Sequence, residues 1–214
     1  MPFQGLVNRE FTTGFPGDIL EGGPHRARVG RILSANDPAG VNTNRISRVF
    51  GWVSGYGSIG SGTSITNAAR SYEVTLGGVN FFGVLFNPQH YALVGTVADG
   101  LEGGTLAPTL DLPQGVEAEF TDMCTALVVE IFNFTTGAVT INYDDQVAYV
   151  PNNISGANNP LGVPYGALVA FDASAALPTG LVLIPNARIV NDVALAASAV
   201  GALVSTYTAV QLTQ

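Results

Sequence analysis

Residues 117–150 read EAEFTDMCTALVVEIFNFTTGAVTINYDDQVAYV. Within this stretch Val139-Thr140-Ile141-Asn142-Tyr143 alternates apolar and polar residues. That period of two marks a strand with one buried face. The longer apolar run Thr125–Phe134 ends at Thr135-Thr136-Gly137, a turn signal. Asp144 and Asp145 are expected in a turn between Tyr143 and Gln146. The stretch therefore reads as strands at 117–121, 125–134, 138–143 and 146–150. Working outward, similar runs predict strands near 46–53, 72–76, 81–86, 91–94, 166–171, 181–190 and 206–213. Asn87-Pro88, Leu112-Pro113-Gln114-Gly115 and Pro178-Thr179-Gly180 separate them. Asn152–Pro164 is a long loop. Residues 193–200, VALAASAV, are ambiguous: alanine favours helix, while the neighbours favour a strand or tight turn. Many short strands with regular turns predict an all-β chain, a β-sandwich or barrel-like body.

The 214 residues carry a net charge of −8, with 11% charged residues and 47% hydrophobic ones. An acidic chain lacks the basic face that phosphates require, so nucleic acid is not an expected partner. No apolar stretch approaches the roughly 20 residues of a membrane-spanning helix. MPFQGLVNRE lacks the basic and apolar regions of a secretory signal. A single cysteine, Cys124, excludes a disulfide framework and any multi-thiolate metal site. A surface so poor in charge suits a chain that hides much of itself in an assembly.

The charge is uneven. Residues 1–70 hold seven of the eight arginines against four acids, a net +3, and residues 71–214 hold Arg188 against twelve acids, a net −11. Either the two parts face different partners, or the arginines pair with the chain's own acidic body. Residues 1–44 carry four prolines and no lasting apolar period. They read as an extended N-terminal arm before a β-rich body at 45–214. Phe3, Leu6, Val7, Phe11, Phe15, Ile19 and Leu20 are costly to leave in water. The arm therefore lies on a surface, its own body or a neighbouring subunit.

Candidate chemistry is sparse. Gly55-Tyr56-Gly57-Ser58-Ile59-Gly60 has the GxGxxG spacing. The residues that follow are poor helix formers and no βαβ alternation surrounds it, so it reads as a loop. His25 and His90 are the two imidazoles, 65 residues apart, and each reads as a packing or hydrogen-bonding residue. Cys124 lies in an apolar strand, where cysteine behaves as a small hydrophobe. Glu117 and Glu119 share a strand face. Paired carboxylates serve glycosidases, yet on a sheet such a face is usually solvated. No dense acidic cluster for calcium is present. No catalytic, cofactor or metal set is expected.

The ordered motifs resemble one family. MPFQGLVNRE is followed by Gly14-Phe15-Pro16-Gly17-Asp18 and Gly23-Pro24-His25-Arg26-Ala27. Phe82–Leu93 (FGVLFNPQHYAL) precedes Gly104–Gly115 (GTLAPTLDLPQG), and Ile184–Val190 (IPNARIV) precedes Ala209-Val210-Gln211-Leu212. Together they resemble the structural cement, or head decoration, proteins of tailed bacteriophages. The stretches 55–72 and 152–164 are longer than the family's pattern. The resemblance implies a non-enzymatic virion protein, assembled in the host cytoplasm, that binds the outside of the head and cements major capsid subunits together. It implies a mostly β body and an N-terminal arm used in contacts. Expected capsid or subunit contacts are Phe3, Phe11 and Phe15 with Arg9, Arg26, Arg28 and Arg31. Low charge also suggests a homo-oligomer, a trimer rather than a dimer. The alternatives are another phage β-component, in the tail or binding a receptor, and a carbohydrate-active β-sandwich enzyme.

Overall fold

The computed structural model describes residues 16–20, 23–53, 72–86, 111–112 and 114–213. The fold is all-β, and one strand organises it. Strand β5 (Glu117–Phe132) runs without a break for 16 residues, through the position where the sequence suggested two strands. Asp122 looks like an interruption, but it is an extra residue within the strand. Arg26 pairs with Met123 and Ala27 with Thr121, so Asp122 bulges between them. A second irregularity follows, where Val210 pairs with Leu127 and Leu212 with Cys124. Bulges shift which side chains point inward. Ala118 and Phe120 face one core, whereas Leu127, Val129 and Ile131 face another.

Ten further strands surround β5 among the described residues: β1 (Arg26–Ile32), β2 (Val49–Trp52), β3 (Tyr72–Leu76), β4 (Phe81–Leu85), β6 (Val139–Ile141), β7 (Gln146–Tyr149), β8 (Leu168–Phe171), β9 (Val182–Ile189), β10 (Val193–Leu195) and β11 (Ser205–Leu212). The first part of β5 pairs with both β1 and β4, which are joined through β3 and β2. The order β5-β1-β3-β2-β4-β5 thus closes into a five-stranded ring. The second part pairs with β11 and, at Ile131, with β8, and the order β5-β11-β9-β7-β8-β5 closes a second ring. The barrel-like expectation is met twice, with one strand shared. Closure leaves few strand edges to pair with other chains.

Each ring has its own core. The first is aromatic: Phe50 and Phe82 lie 5.0 and 5.4 Å from Phe120, and Trp52 stands edge-on to Phe82 at 4.5 Å. The second is aliphatic, built from β5, β7, β8, β9 and β11 around Tyr149. Strands β10 and β6 pair beside it, so 193–195 is a strand, and Ile141 and Leu195 complete the core. Residues 152–164 hold no strand, only a 3-10 turn at 156–158. Arg26–Ile32, part of the segment 1–44, is a strand of the main sheet. The strand expected near 91–94 and most of the stretch 55–72 fall outside the described residues.

Polar contacts lock the rings together. The Tyr149 hydroxyl, fully buried, donates to the Gly78 carbonyl at 2.7 Å. Burial raises the phenol's pKa and keeps it a donor. Tyr149→Phe should cost about 1–3 kcal/mol, because the buried carbonyl is left unpaired; urea unfolding measures it. Gly166 has φ +71°, donates to Val150 within the second ring and accepts across the junction from the Val49 N–H. A Cβ there would meet the Val49 carbonyl oxygen at 2.6 Å. Gly166→Ala should cost about 1–3 kcal/mol, from a left-handed backbone that alanine resists. An unchanged denaturation midpoint would contradict this.

Candidate functional site

The inward face of β1 is where sequence-predicted residues meet. A Cβ on Gly30 would touch Phe82, Phe120 and Val74, so position 30 faces the first core. Arg26 and Arg28 alternate onto that same face. They lie toward the bulge, where Asp122 is 1% exposed. Arg26 grips Asp122 with two parallel bonds, Nε to Oδ1 and Nη2 to Oδ2, both 2.7 Å. Arg28 Nη2 reaches Oδ2 at 2.6 Å, and its guanidinium lies 6.0 Å from the Phe82 ring centroid. The hydrogen bond to Asp122, then its charge, raises the Arg26 pKa. Two guanidiniums share one carboxylate, so the group holds a fixed excess of positive charge. Arg31 is exposed on the opposite face of β1, with Glu117 and Glu73 as cross-strand neighbours. Phe3, Arg9, Phe11 and Phe15 lie outside the described residues.

A second arginine site was not anticipated from the sequence. Arg48 is 2% exposed, with Glu130 3.5 Å away and the Phe132 ring centroid 4.7 Å away. Its Nη1 has no hydrogen-bond partner. Burial lowers its pKa to about 10, which Glu130 only partly offsets. Glu130 is tied by Ser205 Oγ at 2.8 Å, and its backbone N–H donates to Ser47 Oγ at 2.6 Å. Asp122 and Arg48 were both legible as charges set in apolar runs, FTDMC and RVFGW, a pattern that marks a buried ion pair.

The remaining candidates stay apart. Glu119 is half-buried and faces Val29 across the sheet, and Glu117 is exposed opposite Arg31. His25 is exposed; His90 and the GxGxxG loop lie outside the described residues. Asp144 and Asp145 sit in the expected turn, where Asp145 accepts from the Asn142 N–H. Cys124 is buried, which raises its pKa. Among the described residues no group of three or more His, Cys, Asp or Glu could hold a metal ion. Among the described residues no helix is long and apolar enough to cross a membrane.

The family model described as structural cement protein (E217 gp24/Pam3 gp6) matches residues 3–209. The chain belongs to the structural cement protein family. No curated protein matches it. Among solved structures it is similar to a chain of "The capsid of Myoviridae Phage XM1", at 10% identity and a TM-score of 0.44 over all of this chain and 99% of that one. Family membership makes this cement protein a structural component of a phage virion with a capsid-binding role.

Proposed function

We propose that this cement protein sits on the exterior of a phage head, where it bridges copies of the major capsid protein, after assembly in the host cytoplasm. The observation that carries the reading is the family match over residues 3–209. Residues 1–44 are assigned the contact role and 45–214, with their long loops, the supporting body. The contacts are Arg26, Arg28 and Arg31 on β1, with Phe3, Arg9, Phe11 and Phe15 upstream. The Arg26–Asp122–Arg28 group supports the assignment chemically. It presents preorganised guanidinium in a chain of net charge −8 that contains no lysine. A planar fork held in place suits a partner's carboxylate better than a loose ammonium. Exposed Leu20, Val29 and Val200 and the low charge support self-association; a trimer is proposed over a dimer because it suits the quasi-threefold positions of a capsid.

Cryo-electron microscopy of purified heads mixed with the protein tests the placement. Density on the outer surface bridging capsid subunits is expected; isolated, non-touching copies would refute the oligomer. Arg26→Ala should lower head occupancy and flatten its dependence on salt, because interface charge is screened. If single alanine variants of Arg9, Arg26, Arg28 and Arg31 all decorate heads as wild type does, the arginines are not contacts.

A further inference from the structure

We infer that a buried water molecule joins Arg48 to Asp111 and makes Asp111 the second counter-ion of that arginine. Among the described residues two buried side-chain atoms lack a hydrogen-bond partner, Arg48 Nη1 and Asp111 Oδ1. The first can only donate and the second, on a carboxylate, can accept. Both belong to one cluster of charges, since Glu130, Arg45 and Asp111 all act electrostatically on the Arg48 guanidinium. Yet the two atoms do not bond each other. A polar gap between neighbours of this kind is where a bridging water sits.

The backbones that carry the two atoms are held on both sides of the gap. The Arg48 carbonyl accepts from the Leu85 N–H at 2.9 Å, and the next residue, Val49, donates to Gly166 at 2.8 Å. Asp111 pairs with Arg45 as an antiparallel bridge, and Leu112 N–H donates to the carbonyl of the fully buried Asn44 at 2.7 Å. On its other side the guanidinium is engaged by Glu130, 3.5 Å from Nη2, and by the Phe132 ring. The chain cannot close the gap without breaking these contacts. The chemistry of the gap then selects its occupant, which must accept from a guanidinium and donate to a carboxylate. An anion only accepts, and a metal cation is repelled by the guanidinium. The cluster is already balanced, with Arg45 and Arg48 against Asp111 and Glu130, so an ion of either sign would leave an uncompensated charge out of water. Water donates, accepts and carries no charge. Ser205 Oγ donates to Glu130 at 2.8 Å. The line Asp111–water–Arg48–Glu130–Ser205 therefore runs from the segment that places Leu112 in the first core to β11 in the second ring. Asp111 is a positioning residue, acting on the junction through Arg48.

A crystal structure of the full-length wild type, at a resolution that shows ordered waters, tests the bridge. One water within hydrogen-bond distance of both Arg48 Nη1 and Asp111 Oδ1 is expected. A direct bond between the two side chains, no density between them, or an ion identified there by its anomalous signal would overturn the inference. Urea unfolding tests the role of Asp111 by a thermodynamic cycle. Asp111→Ala should lower the folding equilibrium constant about fivefold or more in the wild-type background and less than about twofold in Arg48→Met. Equal losses in the two backgrounds would mean that Asp111 acts on something other than Arg48. Asp111→Asn removes the charge and keeps the shape, and it takes the same place in the cycle if Asp111→Ala does not fold.

Discussion

Replacing Arg48 with alanine should destabilise the protein by about 3–5 kcal/mol, through a lost ion pair and a buried void. That corresponds to a fall in Tm of roughly 6–20 °C for a chain of this size. The cation is nearly sealed from water, leans on Phe132 and faces Glu130. Arg48→Met keeps most of the stem's volume, and Glu130 keeps its bond from Ser205. Its cost should be smaller, about 1–2 kcal/mol, and Arg48→Met/Glu130→Gln should fall within about 1 kcal/mol of wild type. Guanidinium chloride unfolding of the three variants measures this. A double variant as unstable as Arg48→Ala would show that packing, not charge, governs the site. The pH dependence has a definite sign. Burial lowers the Arg48 pKa from its ordinary value to about 10. A base whose pKa falls on folding opposes folding while it is charged, and the opposition fades as pH rises through 10. Wild type should therefore gain stability relative to Arg48→Met above that pH.

Asp122→Ala is the second large effect, expected at about 2–4 kcal/mol. The carboxylate is buried at the bulge and accepts from two arginines. Without it, two guanidiniums repel each other beside the aromatic core. Arg26 and Arg28 are partly exposed and turn toward water, which holds the cost below that of a fully enclosed pair. Asp122→Asn should be milder, and Asp122→Ala/Arg28→Met should recover part of the loss by removing one of the unpaired cations. Thermal melts at low and high salt check both. Equal melting temperatures for wild type and Asp122→Ala would mean that the bulge holds without its carboxylate.

Strand positions were legible wherever one face meets a core and the other meets water, as at Val139–Ile141 and Val210–Leu212. The strand expected to run on to Tyr143 stops at Ile141, and Tyr143, read as an inward residue, is 70% exposed in the turn that follows. β1 lacked that signature for a physical reason. Its inward positions are Arg26, Arg28, Gly30 and Ile32. Gly30 must be small because Phe82 and Phe120 fill the space before it, and Arg26 and Arg28 point at Asp122, a carboxylate 96 residues from the first of them. No local period records such a partner. β5 read as two strands because Asp122 sets a charge inside the run and because the inward parity changes between Cys124 and Leu127, at the second irregularity. The ambiguity of 193–200 resolves through pairing with β6, again a distant segment. Ring closure depends on which strands meet, which hydropathy does not encode. The family was legible in the order of its motifs, which span most of the stretch 3–209 that the family model matches.

The strand common to both rings also determines how the molecule carries load. A pull directed along β5 is shared by the ladders on its flanks, which must slide and fail together. Peeling, by contrast, breaks such bonds one at a time. Sixteen residues of one segment therefore act as a tie-rod between two hoops. Force applied at one barrel reaches the other in shear, without passing through a hinge or a linker.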